Sequence, residues 1–256
     1  MKILPSKYIT NRKIALASVF SVLYLILRLL PTFPMVGMAG VFFSISDALA
    51  PIYGIILGPF TGPLSIAIGT FLAIGLGKPP VFLGLDFLPA FLNAMALGFL
   101  VRKKWIFTSI INLALLLIFY FHPYTLQFVN ISISETNLSI PFAWMHILAF
   151  LVLLSPLSRK AVLWIKSSDA KLIWIGMLVL SFIGTFIQHL TGSILFETIL
   201  GQLLNSIPYE AFRTIWTTIF WVYPIERIIL IIVSSVIGSI LIKSFKATNI
   251  KELMNF

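Results

Sequence analysis

Residues able to bind or transform a small molecule are few in this chain, and they crowd into a handful of places. Asp47 lies in one apolar segment, Asp86 lies just before another, and Asn93 lies within that second one. Gln188 and His189 close a third, and Glu197, Glu210, Arg213, Trp216, Trp221, Tyr223, Glu226 and Arg227 follow within 191–227. An ionisable group set in an apolar run marks function by default, because leaving it unpaired in hydrocarbon costs on the order of 3 kcal/mol. Amide, imidazole, carboxylate, guanidinium and aromatic groups in this mixture suit recognition by hydrogen bonds and ion pairs. For Trp216, Trp221 and Tyr223 the competing reading is an interfacial aromatic belt. For Glu226 and Arg227, adjacent and therefore on different helix faces, it is one internal salt bridge each.

Catalytic patterns are missing from the sequence. It has no His-Glu-x-x-His zinc motif, no Gly-x-Ser-x-Gly elbow and no Gly-Lys-Ser/Thr phosphate loop. His122 and His146 stand alone in the sequence, and a lone His is more often satisfied or solvated than a ligand. With no cysteine, disulfides, thiolate metal sites and thiol catalysis are all excluded. The chain is therefore expected to be a non-enzyme without a metal or other cofactor.

The elements that must position these residues are apolar. The chain is 59% hydrophobic and only 10% charged, with a mean hydropathy of +1.06, a composition that makes a bilayer the expected solvent. A spanning helix needs roughly 17 to 25 mainly apolar residues, and candidates occur near 14–30, 41–57, 62–76, 87–101, 105–121, 141–155, 172–190 and 224–242. The expected architecture is all-α: one integral membrane domain over 1–256, a polytopic bundle of about eight helices. The basic start followed by 14–30 also resembles a signal peptide, but the later apolar runs favour a retained first helix.

Orientation follows from charge. Fourteen of the eighteen Lys and Arg residues form four clusters: Lys2, Lys7, Arg12 and Lys13; Arg102, Lys103 and Lys104; Arg159, Lys160, Lys166 and Lys171; and Lys243, Lys246 and Lys251. Eight crossings put all four on one side, and basic residues in short loops stay cytoplasmic. Both termini are thus expected to be cytoplasmic in a multi-pass cell-membrane protein, with loops near 31–40, 77–86, 122–140 and 191–223 outside. Two sequons, Asn130-Ile-Ser132 and Asn137-Leu-Ser139, fall in an outer loop and agree with that side. The formal charge of +10 reads as the basic face of a membrane protein toward anionic headgroups, not as nucleic-acid binding.

Two stretches carry further information. Gly54, Gly58 and Gly62, if helical, form one smooth stripe for close helix packing, broken at a cytoplasmic turn by Pro59 and Pro63. Residues 191–223 are too long for a simple connection and too apolar for a solvated one, and helical spacing from Ile194 to Leu204 predicts a short helix lying back over the bundle.

Together these residues resemble the substrate-binding S components of energy-coupling factor vitamin transporters. The resemblance rests on Arg12-Lys13-Ile14-Ala15-Leu16-Ala17-Ser18, on Tyr53-Gly54 through Gly69-Thr70 with its Gly-Pro turns, and on Tyr223-Pro224-Ile225-Glu226-Arg227. It covers most of the chain outside roughly 105–155. That family has six helices with both ends inside, so 105–155 reads as an inserted helical hairpin whose removal restores six. The resemblance implies a vitamin-like small-molecule substrate and an outward-opening pocket covered by the loop after the first helix. It also implies dependence on a transmembrane coupling subunit and ATPase subunits. The segments it brings together would wall that pocket with Asn93, Gln188, His189, Glu197, Trp216, Tyr223, Glu226 and Arg227. Ala17 and Ser21 are the nearest match to the Ala-x-x-x-Ala face that meets the coupling subunit.

Two other classes remain open at this point. A self-sufficient secondary transporter or channel would want a midplane ion site and two related halves, and only Thr61-Gly62 and Thr191-Gly192 echo one another. An integral-membrane enzyme would need acidic or His residues clustered on one cavity.

Overall fold

The computed structural model describes residues 6–133 and 136–248; Lys2, Lys251 and both chain ends lie outside them. Helix α1 (Ser6–Arg28) leads into a two-stranded antiparallel hairpin, β1 (Pro31–Pro34) and β2 (Phe42–Ser44). A 3-10 turn (Ile45–Leu49) opens the short α2 (Ala50–Leu57), and α3 (Thr61–Gly75), α4 (Leu88–Val101) and α5 (Trp105–Phe121) follow. A second antiparallel hairpin, β3 (Phe128–Ile133) and β4 (Thr136–Pro141), joins α5 to α6 (Trp144–Leu154). Then come α7 (Pro156–Trp164), α8 (Ala170–Leu195), a π-helical extension (Phe196–Leu203) and α9 (Tyr209–Ala247). The chain is an all-α helical bundle, with nine α-helices among the described residues.

Segmentation differs from the periodicity reading in three places. Residues 41–57 form a strand, a 3-10 turn and eight residues of helix instead of one span, because Asp47 caps the turn by accepting from Ser44 N–H and Pro51 enters only at the helix start. The run 141–155 ends where Pro156 begins α7, and α6 and α7 meet at 72°. Residues 191–223 are no loop: α8 runs on as π-helix to Leu203, and α9 starts at Tyr209, well before the expected 224. Pro224 sits inside α9, where its missing N–H leaves the Phe220 carbonyl without a helical donor. By length and composition two helices, Ala170–Leu203 and Tyr209–Ala247, are able to cross a membrane, or three if α6 and α7 count as one bent span.

Packing uses close backbone approach. A Cβ on Gly54 would strike the Ala94 carbonyl of α4, and one on Gly98 would meet Pro59 N at 2.5 Å, so α2 and α4 touch backbone to backbone. Gly58 ends α2 at φ 96°, a conformation that suits glycine. The three glycines expected to form one stripe therefore divide their work: Gly54 faces α4, Gly62 faces the Tyr53 carbonyl, and Gly58 turns the chain. Helix α8 is the centre, packed by α9, α4, α7, α6 and α5.

Polarity is distributed inside out. Large apolar side chains lie bare, among them Phe60 (72% exposed), Phe121 (74%) and Ile225 (65%), while Asn93, Glu197, His146 and Gln188 are buried. Members of the four basic clusters gather at one end of the bundle, whereas Arg28, Lys78 and Arg227, which belong to none of them, lie elsewhere. Lys13, Arg102 and Lys104 line one notch there, the Arg159 guanidinium lies 5.2 Å from the Trp105 ring centroid, and Lys246 Nζ donates to the Ile165 and Ser167 carbonyls.

Candidate functional site

The opposite end of the bundle holds a cavity of about 1010 Å³, open solvent included. Its floor and walls come from the C-terminal end of α1, the β1–β2 hairpin, the 3-10 turn, the loop before Asp86 and the start of α4, the second half of α8 with Phe196 beyond it, and Trp216–Arg227 of α9. The hairpin is held across the cavity. Phe43 lies beneath the Arg227 guanidinium, 5.4 Å from ring centroid to Cζ, and a Cβ on Gly37 (φ 87°) would meet Ile215 of α9 at 3.1 Å and Phe196 at 3.3 Å.

Of the eight residues expected to wall a pocket, Gln188, His189, Trp216, Tyr223, Glu226 and Arg227 line this cavity. The other two stand elsewhere. Asn93 lies behind the wall, where its Nδ2 donates to Gln188 Oε1 at 2.8 Å, and Gln188 Nε2 in turn donates to Asp47 Oδ1 at 3.3 Å. Glu197 faces the loop after α5: its Oε1 accepts from Thr125 Oγ1 at 2.7 Å and its Oε2 lies 3.0 Å from His122 Nδ1. Its neighbour Phe196 lines the cavity instead.

The belt and salt-bridge readings resolve residue by residue. Trp216 (1% exposed) and Tyr223 (0%) are interior, and Trp221 (58%) alone of the three faces outward. Trp216 Nε1 donates to the Tyr124 carbonyl and Tyr223 Oη to the Phe142 carbonyl, so both rings offer the cavity hydrocarbon, not donors. Glu226 and Arg227 pair with each other at 3.3 Å despite being adjacent, and both line the same cavity. Nor are His122 and His146 solitary. His146 Nε2 and His189 Nδ1 lie 2.8 Å apart with their rings stacked, and His189 stacks on Tyr223.

Several lining residues were not singled out from the sequence. Arg28, Lys78, Phe42, Phe43, Ser44 and Phe82 all face the cavity, beside Asp47 and Asp86, which the sequence reading did single out as ionisable groups though not as pocket walls. Asp86 accepts from Val81 N–H (2.8 Å) and Phe82 N–H (3.1 Å) and lies 3.7 Å from Arg28 Nη2. Lys78 Nζ donates to the Arg28 carbonyl and to Ser44 Oγ. Burial, and then the neighbouring Arg28, hold its ammonium below the ordinary lysine range. Arg28 and Lys78, cations lying in none of the four clusters, were the available signals.

Ala17 and Ser21 fall on the α3 side of α1. Ser21 is buried, its carbonyl lies where a Cβ on Gly69 would come to 2.7 Å, and the Ala17 carbonyl accepts from Ser65 Oγ. The open face of α1 carries Ile14, Val19, Val22 and Ile26. Among the described residues no group of three or more His, Asp or Glu side chains is placed to hold a metal. No protein-family model, curated protein or solved structure matches the chain.

Proposed function

We propose that the chain is a membrane-embedded substrate-binding subunit resembling the S components of energy-coupling factor importers. It captures a vitamin-like micronutrient from outside and depends on a transmembrane coupling subunit and ATPase subunits for import. The observation that carries this reading is the cavity: a concave, mostly apolar space with convergent polar groups, placed at the end of the bundle opposite the four basic clusters. Bare Ile, Leu and Phe on the outer faces and buried polar groups inside support a bilayer around the bundle. Basic residues gathered at one end support that end as cytoplasmic and the cavity as outward-facing. The short α2 and the bent α6–α7 pair fit a membrane domain, since non-spanning helices at membrane depth are tolerated where protein covers them.

The test is reconstitution. The chain alone in liposomes is expected to bind a small molecule without accumulating it, and uptake is expected only with an ATPase and a coupling subunit present. Accumulation by the chain alone, driven by an ion gradient, would replace this reading with a secondary transporter, for which the interrupted helix bearing Asp47 would be the first place to look.

A further inference from the structure

Partner bookkeeping inside the cavity points to the charge of its ligand; this step rests on the cavity being the binding site. Three carboxylates and three cations line it, and they are not equally occupied. Asp86 accepts from two backbone N–H groups and faces Arg28. Asp47 accepts from Ser44 N–H at 3.1 Å and from Gln188. Glu226 is engaged by Arg227. Each carboxylate thus has a donor from the protein itself.

The cations are less well supplied. Lys78 hydrogen-bonds only to neutral oxygens, the Arg28 carbonyl and Ser44 Oγ, and makes no close ion pair among the described residues, with Asp47 and Asp86 acting on its charge from farther off. An ammonium has three donors, so one is left over. Arg28 Nε and Arg227 Nε are buried without a hydrogen-bond partner among the described residues, although Arg28 is only 8% exposed and Arg227 3%. Buried donors without acceptors are costly and rare. The deficit at this site is of acceptors; the two Nε atoms are closed off by the protein, so the donor that a ligand acceptor would meet is the leftover one of the half-buried Lys78, beside the Arg28 guanidinium.

The geometry points to an organic anion: we propose that one oxyanion, a carboxylate or phosphate, sits against Lys78 and Arg28 beside Ser44, with its ring or hydrocarbon body on Trp216, Tyr223 and Phe196. The body's side follows from the hydrogen bonds already described, which turn the polar atoms of Trp216 and Tyr223 away from the cavity. A guanidinium and an ammonium on one oxyanion form charge-assisted bonds, stronger than neutral ones.

The experiment uses the full chain purified in detergent. Denaturing extraction followed by mass spectrometry reads the charge of any carried small molecule. Thermal-shift and calorimetric binding then compare nicotinate with nicotinamide, pyridoxal 5′-phosphate with pyridoxal, and thiamine as a cation. The acid or phosphate member of a pair is expected to bind at least about tenfold better than its neutral counterpart. Lys78→Gln is expected to bring the preference for the charged member down toward parity, and Lys78→Arg to retain it. A purely structural role for Lys78 would weaken both members alike, and that result overturns the proposal. A carried cation or uncharged compound, or equal binding of acid and neutral members, overturns the ligand class while the binding-subunit reading stands. Absence of any carried compound together with no binding by any probe overturns both.

Discussion

Asn93 holds Gln188 by its carbonyl end, and so decides which end of that side chain faces Asp47 and the cavity. The 2.8 Å bond from Asn93 Nδ2 to Gln188 Oε1 leaves the Gln188 NH2 to reach Asp47 at 3.3 Å. Gly184, one turn earlier on α8, makes room for the arrangement, since a Cβ there would strike Asn93 Oδ1. An amide from α4 thereby orients a residue on α8, which in turn steadies a carboxylate beside the β1–β2 hairpin.

Asn93→Ala is expected to leave a buried acceptor unpaired and lower unfolding stability by about 1–3 kcal/mol. Ligand affinity should fall with it, because Gln188 is then free to turn its carbonyl toward Asp47. Denaturant unfolding alongside calorimetric binding checks both, and unchanged values would remove Asn93 from the support of the site.

Close backbone contact makes a sharp contrast between glycines. Gly54→Ala must push α2 from α4 and is expected to cost about 1–3 kcal/mol by overpacking. Gly75→Ala, with nothing within 4 Å of the new methyl, should be neutral or slightly stabilising. Melting temperatures in one detergent compare the two directly.

Sidedness can be read chemically in this cysteine-free chain. Cysteines placed singly at Leu138 of β4 and at Ser168 before α8, both exposed positions, are expected to react with an impermeant maleimide from opposite sides, Leu138 from outside. Reaction of both from one side would break the proposed topology.

Alkaline pH should weaken anion binding through Lys78. Its unliganded ammonium is already held below the ordinary 10.5, mainly by burial, and only the charged form attracts the oxyanion. Affinity is therefore expected to hold near neutrality and fall as pH climbs toward 10.5. The unliganded fold should move the other way over the same window, since the unfolded chain there binds more protons at this lysine than the folded one. Calorimetric titration from neutral pH upward checks the first, and Lys78→Arg should flatten the profile.

Much of the architecture was legible before any tertiary contact was known. Helical class, the apolar character and the grouping of Lys and Arg are local or compositional properties, and six of eight expected pocket residues line one cavity because a Gln, His, Glu or Arg inside an apolar run is conspicuous wherever the run folds. What only the tertiary structure decided is which polar residue faces which neighbour. Periodicity tells a residue's side of its own helix, but Asn93 and Glu197 are turned from the cavity by partners far along the chain, Gln188 and His122. His146 and His189 met for the same reason, 43 positions apart. Lys78 and Phe43 entered the site because a loop and a hairpin fold over the helix ends, one of which carries Arg28. Such irregular segments have no repeating spacing from which their destination can be read; their place is set by the one guanidinium, carboxylate or ring that receives them.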